Sequence, residues 1–537
     1  MATKIIPPLD LMFFLTESPQ NPKHVGAVQV FQLPDGAPAD YLLNLVETFK
    51  AAPVVEPFNH RPHFPRLGLP QWRQVEEMEM SYHVRHSALP RPGSLDQLMD
   101  VVQRLHAGVL DRRRPCWMCQ VIEGLEDNRF AVYTKIHHAY IDGMSGVKRM
   151  YGSLSSSPDD NRITPTWSYQ PERSRDGAAP HSSDGSNPAQ TLVNQAKGVA
   201  QASRFLADMG LQWLKLRDGK ATIPFTANRT RMNRPVEWET RSTAVCTFPL
   251  DKIHAIGHRH GCTVNEVVLA IIGGALNDYL TEHHEQPSEP LVALCPVSLR
   301  PQGDDSAKTQ VSAVHVKLGQ PDATTAQRLE QVVDSSRAAK DAVSQLSAEG
   351  MIDYGVIIFA LWEVLARTRL EQFVTPSYNV LVSNVPGPGN EAMYLCGSKM
   401  QASYPISVFL PGVNLNATLL SHGNNLDFGL LGDKHVLPDL DLVVARMEHH
   451  FALLQGELTS DRTTARARPG PGPKTSTQTK AKTKTKTKAK SKTRSNAKSK
   501  AQSRTKAKPR SGTTAGTSRK KPAASARTTP DSGRKRR

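Results

Sequence analysis

The sequence lacks an apolar run long enough to cross a membrane. The best candidate, Met351 to Ala366, is interrupted by Asp353 and Glu363 and is shorter than the roughly 20 residues that a spanning helix needs. We therefore predict no transmembrane helix. This run is expected to form a buried helix or, alternatively, a helix that lies in a bilayer interface or lines a lipid channel. The opening MATKIIPPLDLMFFL is broken by two prolines and Asp10, and makes a poor signal peptide.

Cysteine is scarce, with six residues in a chain of 537. Without a secretory signal, so few thiols in so long a chain indicate a reducing, cytoplasmic setting and not a disulfide framework. Cys116 and Cys119 have CxxC spacing, but no second pair of ligands follows at a spacing that zinc sites use. The sequence therefore favours two core thiols, and we predict no metal.

Acidic and apolar residues are almost absent from the C-terminal segment. From Ser460 onward, 26 Lys or Arg residues stand against Asp461 and Asp531, so that segment carries about +24 and the preceding residues about −7. A segment without large apolar side chains cannot form a core, and we predict a disordered tail. Its natural partners are phosphate-rich surfaces, either an anionic membrane or lipid inclusion, or nucleic acid. A solubilising extension without a specific partner is the alternative.

Strand-like and helix-like patterns alternate on both sides of a linker. Ser155 to Pro188 is rich in Ser, Pro, Asp and Gly, and Ala189 to Leu216 then has apolar residues at helical spacing. The order predicts a mixed α/β fold in both halves. The predicted strands are Arg129–Ile136, Ser242–Leu250, Leu291–Ser298, Val311–Leu318, Asn379–Ser383, Ile406–Leu410, Asn414–Ser421 and Asn425–Leu431, and the predicted helices are Thr263–Leu280, Thr325–Leu346 and Asp439–Leu458.

Two histidines stand where the clearest strand of the first half ends. His137 and His138 follow RFAVYTKI, and Asp142 and Gly143 complete an HHxxxDG pattern ahead of a predicted helix. A His at a strand end is held rigidly, and its imidazole is well matched to take a proton from a hydroxyl at neutral pH. Asp142 either caps the next helix or forms an ion pair that fixes the loop. A polar strand terminus without chemistry is the alternative, which the Asp-Gly at fixed spacing disfavours.

Six further segments accompany the HHxxxDG pattern. They are PPLDLMFF at 7–14, LDRRRPCW at 110–117, TVNEVVLAIIGGAL at 263–276, PVSLRP at 296–301, SNVPGP at 383–388 and NLDFGLLGD at 425–433. With this set, the chain over roughly residues 5–458 resembles the bacterial wax ester synthase/acyl-CoA:diacylglycerol acyltransferase family, within the CoA-dependent acyltransferase superfamily. Three residues depart from those usual in the family: Cys116 replaces Leu, Glu266 replaces Asp and His422 replaces Tyr.

The resemblance implies an α/β fold of two chloramphenicol-acetyltransferase-like domains with an active-site tunnel at their interface. The expected divisions are 1–155 for the N-terminal domain with the HHxxxDG motif, 156–235 for a linker and junction helix, 236–458 for the C-terminal domain and 459–537 for the disordered tail. SNVPGP, whose Pro and Gly residues favour a turn, is expected to shape the tunnel wall.

The resemblance also implies roles for individual residues. His138 would act as general base toward the acceptor hydroxyl and return the proton to the CoA thiolate, with His137 in support. Asp142 would be held by Arg300 of PVSLRP, and Gly143 completes the structural part of the motif.

Two neighbouring residues of TVNEVVLAIIGGAL are candidates for stabilising the oxyanion or positioning the substrate. Asn265 would donate to the oxyanion of the tetrahedral intermediate, or Asn265 and Glu266 would position the substrate. A capping or bridging role in the helix backbone is the alternative for Asn265.

The implied reaction is O-acyl transfer. A long-chain fatty acyl group would pass from acyl-CoA, a substrate and not a cofactor, to diacylglycerol or a long-chain alcohol. We expect no cofactor, and a location that is cytoplasmic and peripheral to the inner membrane face or lipid inclusions. One alternative is a catalytically weak lipid-inclusion- or nucleic-acid-associated binding protein that acts through its tail. Another is an acyltransferase with a different acceptor, such as an amine or a polyketide alcohol.

Overall fold

The computed structural model describes residues 4–170, 211–212, 221–298, 311–343, 348–387, 389 and 391–466. Apart from residues 211–212, the predicted junction helix at 189–216 lies outside the described residues, as does the basic tail from residue 467 onward. The division into domains stays a prediction.

Strands and helices alternate along the described chain. The strands are β1 (Lys4–Ile5), β2 (His24–Gln32), β3 (His60–His63), β4 (Gln71–Gln74), β5 (Val84–Ala88), β6 (Trp117–Leu125), β7 (Arg129–His137), β8 (Arg241–Pro249), β9 (Val292–Ser298), β10 (Val311–Lys317), β11 (Val380–Val385), β12 (Tyr394–Leu395), β13 (Ser398–Ile406), β14 (Leu415–His422) and β15 (Asn425–Asp433). The helices are α1 (Pro8–Thr16), α2 (Tyr41–Ala51), α3 (Met80–His83), α4 (Leu95–Ala107), α5 (Gly143–Gly152), α6 (Leu250–His260), α7 (Val264–Glu282), α8 (Thr325–Val343), α9 (Ala348–Arg367) and α10 (Leu440–Arg466), with 3-10 turns at Arg231–Asn233 and Leu370–Phe373.

Two six-stranded mixed sheets carry the fold. The first has the order β12-β13-β2-β7-β6-β5, with β5 parallel to β6 and the other pairs antiparallel. The second has the order β10-β9-β11-β14-β15-β8, in which β11 runs parallel to both β9 and β14. A small antiparallel sheet, β1-β4-β3, completes the described strands. The predicted mixed α/β class is confirmed.

Strand β7 is buried on both faces because it lies between two apolar clusters. Phe130, Val132 and Ile136 point into one cluster, whereas Ala131 and Tyr133 point into the other. This follows from the alternation of side chains along a strand. The HHxxxDG segment therefore starts from one of the most firmly packed strands of the molecule.

Helix α7 is the central element under the second sheet. Its residues from Glu266 to Asn277 are all buried, and its glycines allow two close contacts. A Cβ on Gly273 would lie 2.7 Å from the Leu318 carbonyl oxygen, and one on Gly274 would lie 2.5 Å from the His450 ring. Close packing therefore explains why two adjacent glycines lie in the interior of α7.

The second half of the chain contributes two strands, β12 and β13, to the first sheet. Strand β13 then lies across β15, where a Cβ on Gly429 would be only 1.7 Å from the Pro405 carbonyl oxygen. Next to this crossing, the Ser403 N–H donates to the buried Asp427 carboxylate at 2.6 Å. The two sheets are therefore joined by direct backbone contact at Gly429.

One predicted strand is wrong. The run Ile406–Leu410 was expected to be a strand, but strand β13 ends at Ile406 and the following residues form an irregular segment. Its carbonyl groups accept hydrogen bonds from side chains and not from a neighbouring strand: His106 binds Ser407, Lys23 binds Phe409 and Asn416 binds Val408. Buried backbone groups need partners, and here polar side chains supply them.

The run from Met351 to Ala366 does form a helix, but it is not fully buried. In α9, Trp362 and Glu363 are buried whereas Leu361 and Val364 are exposed. No helix among the described residues is both long and apolar enough to cross a bilayer.

Replacement of Gly429 by Ala tests the crossing of β13 over β15. Because the new Cβ would overlap a backbone oxygen that belongs to a paired strand, we expect a loss of about 2 kcal/mol or more in unfolding free energy. Gly108, with no atom within 4 Å of a built Cβ, provides the matched control, and Gly108→Ala should be nearly neutral. Urea unfolding of both variants measures the difference, and equal stability would contradict the proposed contact.

Candidate active site

The histidine pair lies at the end of β7 and is held through backbone hydrogen bonds on both sides. The His137 N–H donates to the Cys116 carbonyl at 2.9 Å, and the His138 N–H donates to the Lys23 carbonyl at 2.8 Å. His137 is fully buried, whereas His138 is only half-buried. The pair therefore divides into one fully enclosed residue and one residue that is partly exposed.

Two consecutive phenylalanines of α1 stack on the two consecutive histidines. The Phe13 ring lies parallel to that of His138, with centroids 4.3 Å apart, and the Phe14 ring lies parallel to that of His137 at 4.1 Å. Both rings are thus fixed in orientation by an apolar face. The segment PPLDLMFF, whose role the sequence did not reveal, places these two rings.

The orientation of His137 follows from its polar neighbours. Its Nδ1 accepts from the Ala139 N–H at 3.2 Å, so in the neutral ring the proton is on Nε2. Nε2 lies 3.5 Å from a carboxylate oxygen of Glu17, without reaching hydrogen-bond geometry. Burial lowers the pKa of His137 well below its ordinary value, and the positive charge of Arg112 adds to this effect. His137 is therefore a neutral, enclosed ring.

Glu17 is a buried carboxylate that connects three segments. Arg112 donates to its Oε2 through Nε at 3.0 Å and Nη2 at 2.8 Å. The Lys23 N–H donates to Oε1 at 3.3 Å. The Glu17 side chain is 4% exposed, so removal of Arg112 would leave a buried charge unpaired. Arg112 belongs to LDRRRPCW, so this segment is connected to His137 through Glu17.

Lys23 is a second buried charge beside the pair. Its ammonium donates to the Phe409 carbonyl at 3.3 Å and lies 3.6 Å from the carboxylate of Glu363 on α9. Burial lowers the pKa of Lys23, while Glu363 acts in the opposite direction. Through its own carbonyl, the same residue holds the His138 N–H. Helix α9 is thereby tied to the strand next to the histidines.

Burial also lowers the pKa of His138 below its ordinary value of 6.5. A hydrogen bond from the ring to the residue's own backbone carbonyl acts against this shift, as does the negative charge of Asp142, whereas Lys23 adds to it. At neutral pH the ring is therefore uncharged and available to accept a proton.

Asp142 is the N-cap of α5, where its carboxylate accepts from the Ser145 N–H at 2.7 Å. Capping is one of the two roles expected for it. The proposed partner of the other role, Arg300, lies outside the described residues. A Cβ on Gly143 would lie 3.7 Å from Val385 of SNVPGP, so that segment passes the start of α5.

The two candidates at the start of α7 differ in their surroundings. Asn265 is half-buried in the first turn, and its amide has no hydrogen-bond partner among the described residues. Glu266 is buried, and both of its carboxylate oxygens are engaged. Oε2 accepts from the N–H and hydroxyl of Thr263, at 2.8 and 2.9 Å, and Oε1 accepts from Lys340 at 3.1 Å. This arrangement is a capping box with an added ion pair, and it gives Glu266 a structural role.

A cavity of about 930 Å³ lies beside Glu17. It is bounded by residues 15–21, by the end of α9 with the turn after it, and by residues 234–237 and 410–413. Its volume is in the range of pockets that bind small molecules, roughly 300–1,000 Å³. Glu17 is therefore shared by the lining of the cavity and the surroundings of His137.

The CxxC cysteines are buried core thiols, as predicted. Burial raises the pKa of Cys116 and of Cys119 to about 12. In the part of the chain that the structure describes, no group of three His, Cys, Asp or Glu side chains is arranged to hold a metal ion.

Sequence reasoning missed Glu17, Lys23 and the two stacked phenylalanines. Their signal is weak in a single sequence, because they lie more than a hundred residues from the histidines and belong to ordinary residue types. The capping box was visible, since Thr263-x-x-Glu266 is a recognised helix-start pattern.

Glu266→Gln provides a test of the structural role. Burial alone would raise the pKa of Glu266, but its hydrogen bonds with Thr263 and its pairing with Lys340 outweigh this effect and lower it below 4.5. The charged form therefore stabilises the fold above pH 4.5, and this contribution is lost as the pH falls through the lowered value. Because Gln preserves the capping box but not the charge, we expect a loss of about 1 kcal/mol at neutral pH.

That loss should disappear under acidic conditions, where wild-type Glu266 is protonated. Glu330→Gln, an exposed change on α8, serves as the control and should be neutral at both pH values. Thermal unfolding at neutral and acidic pH measures the effect. An equal loss at both would show that the charge is not responsible.

Comparisons with known proteins identify the family of the chain. Residues 6–268 match the wax ester synthase/diacylglycerol acyltransferase catalytic domain, and residues 309–455 match the WS/DGAT C-terminal domain. A Mycobacterium bovis protein, named for diacylglycerol O-acyltransferase activity, is 32% identical over 472 residues, covering 86% of this chain and 99% of that protein.

Solved structures give the same assignment. The wax ester synthase/diacylglycerol acyltransferase from Marinobacter aquaeolei VT8 superposes with a TM-score of 0.64 at 29% identity, covering 84% of this chain and 99% of that one. The first condensation domain of the calcium-dependent antibiotic synthetase shares the fold, with a TM-score of 0.51 at 15% identity over 85% and 97% of the two chains. The chain is an acyl-CoA-dependent O-acyltransferase that belongs to the wax ester synthase/diacylglycerol acyltransferase family.

Proposed function

We propose that this enzyme transfers a long-chain fatty acyl group from acyl-CoA to diacylglycerol, a long-chain alcohol or both, with His138 as the general base. The observation that carries the assignment is the difference in exposure between the two residues. His137 is fully enclosed, whereas residue His138 is only half-buried. A general base must come within hydrogen-bond distance of the substrate hydroxyl, which favours the less enclosed residue.

The tautomer of His138 supports the same role. Its ring donates a hydrogen bond to the residue's own backbone carbonyl. Nδ1 is the ring nitrogen nearer the backbone, so it supplies this donor and leaves Nε2 with a free lone pair. Stacking against Phe13 fixes the plane of the ring. His138 is thus oriented before the substrate binds.

The proposed reaction takes place in two proton transfers through one nitrogen. Nε2 takes the proton from the acceptor hydroxyl as its oxygen attacks the thioester carbonyl carbon, forming a tetrahedral oxyanion. When the intermediate collapses, the carbon–sulfur bond breaks and the CoA thiolate takes the proton back from Nε2. The products are the ester and CoA, no acyl-enzyme forms, and the base returns to its starting state.

Other residues of the site would act through His138 or on the intermediate. Glu17 and His137 position the loop that carries it, because Glu17 fixes both the Lys23 N–H and Arg112. Asn265 is the proposed oxyanion donor, since its amide is unengaged among the described residues. Glu266 is unsuited to that role, because an ionised carboxylate only accepts hydrogen bonds.

The basic tail is proposed to strengthen attachment to anionic membranes or lipid inclusions, which fits a lipid acceptor and a peripheral location. Its positive charge and lack of apolar anchors predict a purely electrostatic contribution. Binding to nucleic acid through the same charges is the alternative.

Replacement of the base tests the assignment directly. His138→Ala should reduce kcat by about 10²–10⁴, the usual contribution of a positioned general base. Exposed His254 on α6 gives the control, and His254→Ala should leave kcat unchanged. CoA thiol release from palmitoyl-CoA, with hexadecanol or diacylglycerol as acceptor, measures both. Near wild-type turnover of the folded His138→Ala variant would exclude His138 as the base.

The pH dependence provides an independent test. Because the base must be unprotonated and its pKa is lowered, kcat/KM should be constant near neutral pH and fall on the acid side with an apparent pKa below 6.5. Initial rates across the acid range, at acceptor concentrations well below KM, would show this limb. An acid limb centred above 6.5 would contradict the proposed environment of His138.

A further inference from the structure

Five apolar side chains stand exposed on α9 and the turn that follows it. We call this set the apolar ridge: Ile357, Leu361, Val364, Leu370 and Phe373. Phe373 is 78% exposed and Val364 is 58% exposed. The first three lie at spacings of four and three residues, which places them on one stripe of the helix.

The opposite side of α9 is buried and carries polar groups. The Trp362 ring nitrogen donates to the Ser377 hydroxyl at 3.0 Å, and Glu363 lies 3.6 Å from the buried Lys23 ammonium. The helix is therefore held in a defined orientation, with a carboxylate inside and the apolar stripe outside. This is the reverse of the usual arrangement in a water-facing helix.

The exposed charges along the ridge are positive. Over residues 364–374 the sequence has Arg367, Arg369 and one acidic residue, Glu371. Glu371 is only 8% exposed, whereas both arginines are exposed. Apolar side chains flanked by arginines match the interface of a bilayer, where acyl chains lie beneath anionic phosphates.

The ridge also lies next to the candidate active site. On its inner side, Phe359 contacts Phe13, which stacks on His138, with ring centroids 6.5 Å apart. The cavity beside Glu17 is lined by Arg367 and Arg369 of this same segment. A lipid taken up at the ridge would therefore meet the cavity directly.

We propose that the apolar ridge docks on an anionic phospholipid surface, with Arg369 at the phosphates, so that lipid substrates reach the cavity from the bilayer. Delivery of the acceptor rests on the proposed function, but docking itself does not. The chain's own tail does not fit the ridge, because it is basic and has no large apolar side chains. A second copy of the same surface would bring like-charged arginines together.

The test is binding of the full chain to mixed phosphatidylcholine/phosphatidylglycerol vesicles. At high salt the attraction of the tail is screened, and the apolar contribution remains. Leu361→Ser combined with Phe373→Ser should weaken vesicle binding at high salt by about tenfold or more, because insertion scales with buried apolar area. The matched control is Leu43→Ser with Leu453→Ser, which removes two exposed apolar residues from α2 and α10.

A charge variant separates the two parts of the surface. Arg369→Gln should weaken binding at low salt by about fivefold, as expected for one arginine near an anionic surface. Lys252→Gln, an exposed change on α6, should have less effect.

Insertion of the wild-type protein into a phospholipid monolayer should raise its surface pressure, and the ridge variant should lose this response.

Several outcomes would overturn the proposal. One is that the ridge variant and the control variant bind vesicles equally well at high salt. Another is that the wild-type protein forms a dimer and that only the ridge variant dissociates it. Binding by His138→Ala should equal that of the wild type, so lipid docking is tested without catalysis. Conversely, absence of thiol release by a protein that binds vesicles normally would contradict the proposed function and leave the docking surface intact.

Discussion

The buried carboxylate of Glu17 is the constraint on which the site depends. An ionised carboxylate inside a protein is stable only when several donors satisfy it. Here these donors come from Arg112 and from the backbone of Lys23, and the carboxylate also lies close to the His137 ring. Three segments far apart in the chain are consequently held at one point. The position of His138 follows from this arrangement. It does not depend on contacts between His138 itself and charged groups.

The same principle operates at Lys23, which immediately precedes β2. Lys23 is almost fully buried, and its partners are a carbonyl and the carboxylate of Glu363. Helix α9 therefore cannot turn its polar residue outward without leaving an uncompensated ammonium behind. The exposure of apolar residues on this helix is thus a consequence of charge pairing inside the molecule. Lipid contact and catalytic geometry are connected through one buried ion pair.

The sequence predicted much of the fold because its signals were local. Strand β7 and helix α7 were found from the alternation and spacing of apolar residues, and their bounds differ from the prediction by only one or two residues. The run Ile406–Leu410 was wrongly predicted as a strand because it is apolar. Its carbonyl groups accept hydrogen bonds from distant side chains, which the local sequence does not indicate. No local pattern could reveal that β13 would cross into the other sheet, since this depends on Gly429 and Pro405 meeting in space.

For the site, HHxxxDG located the histidines, but not what orients them. Glu17 and Phe13 have no spacing that relates them to His138, and only the tertiary structure brings them together. Asn265 and Glu266 are neighbours with different surroundings, which their sequence positions alone could not distinguish. Family resemblance suggested a role at the substrate for both residues, whereas the hydrogen bonds of Glu266 give it a role in helix stability.

The stacking of Phe13 on His138 and of Phe14 on His137 also restricts where the chain can change length. Successive residues of an α-helix differ in direction by about 100°, so loss or gain of a single residue within α1 before Phe13 would turn both rings away from both histidines. The two aromatic pairs therefore fix the rotation of α1 relative to the end of β7. A change of chain length between Pro8 and Glu17 would therefore disturb both the stacked rings and the buried carboxylate.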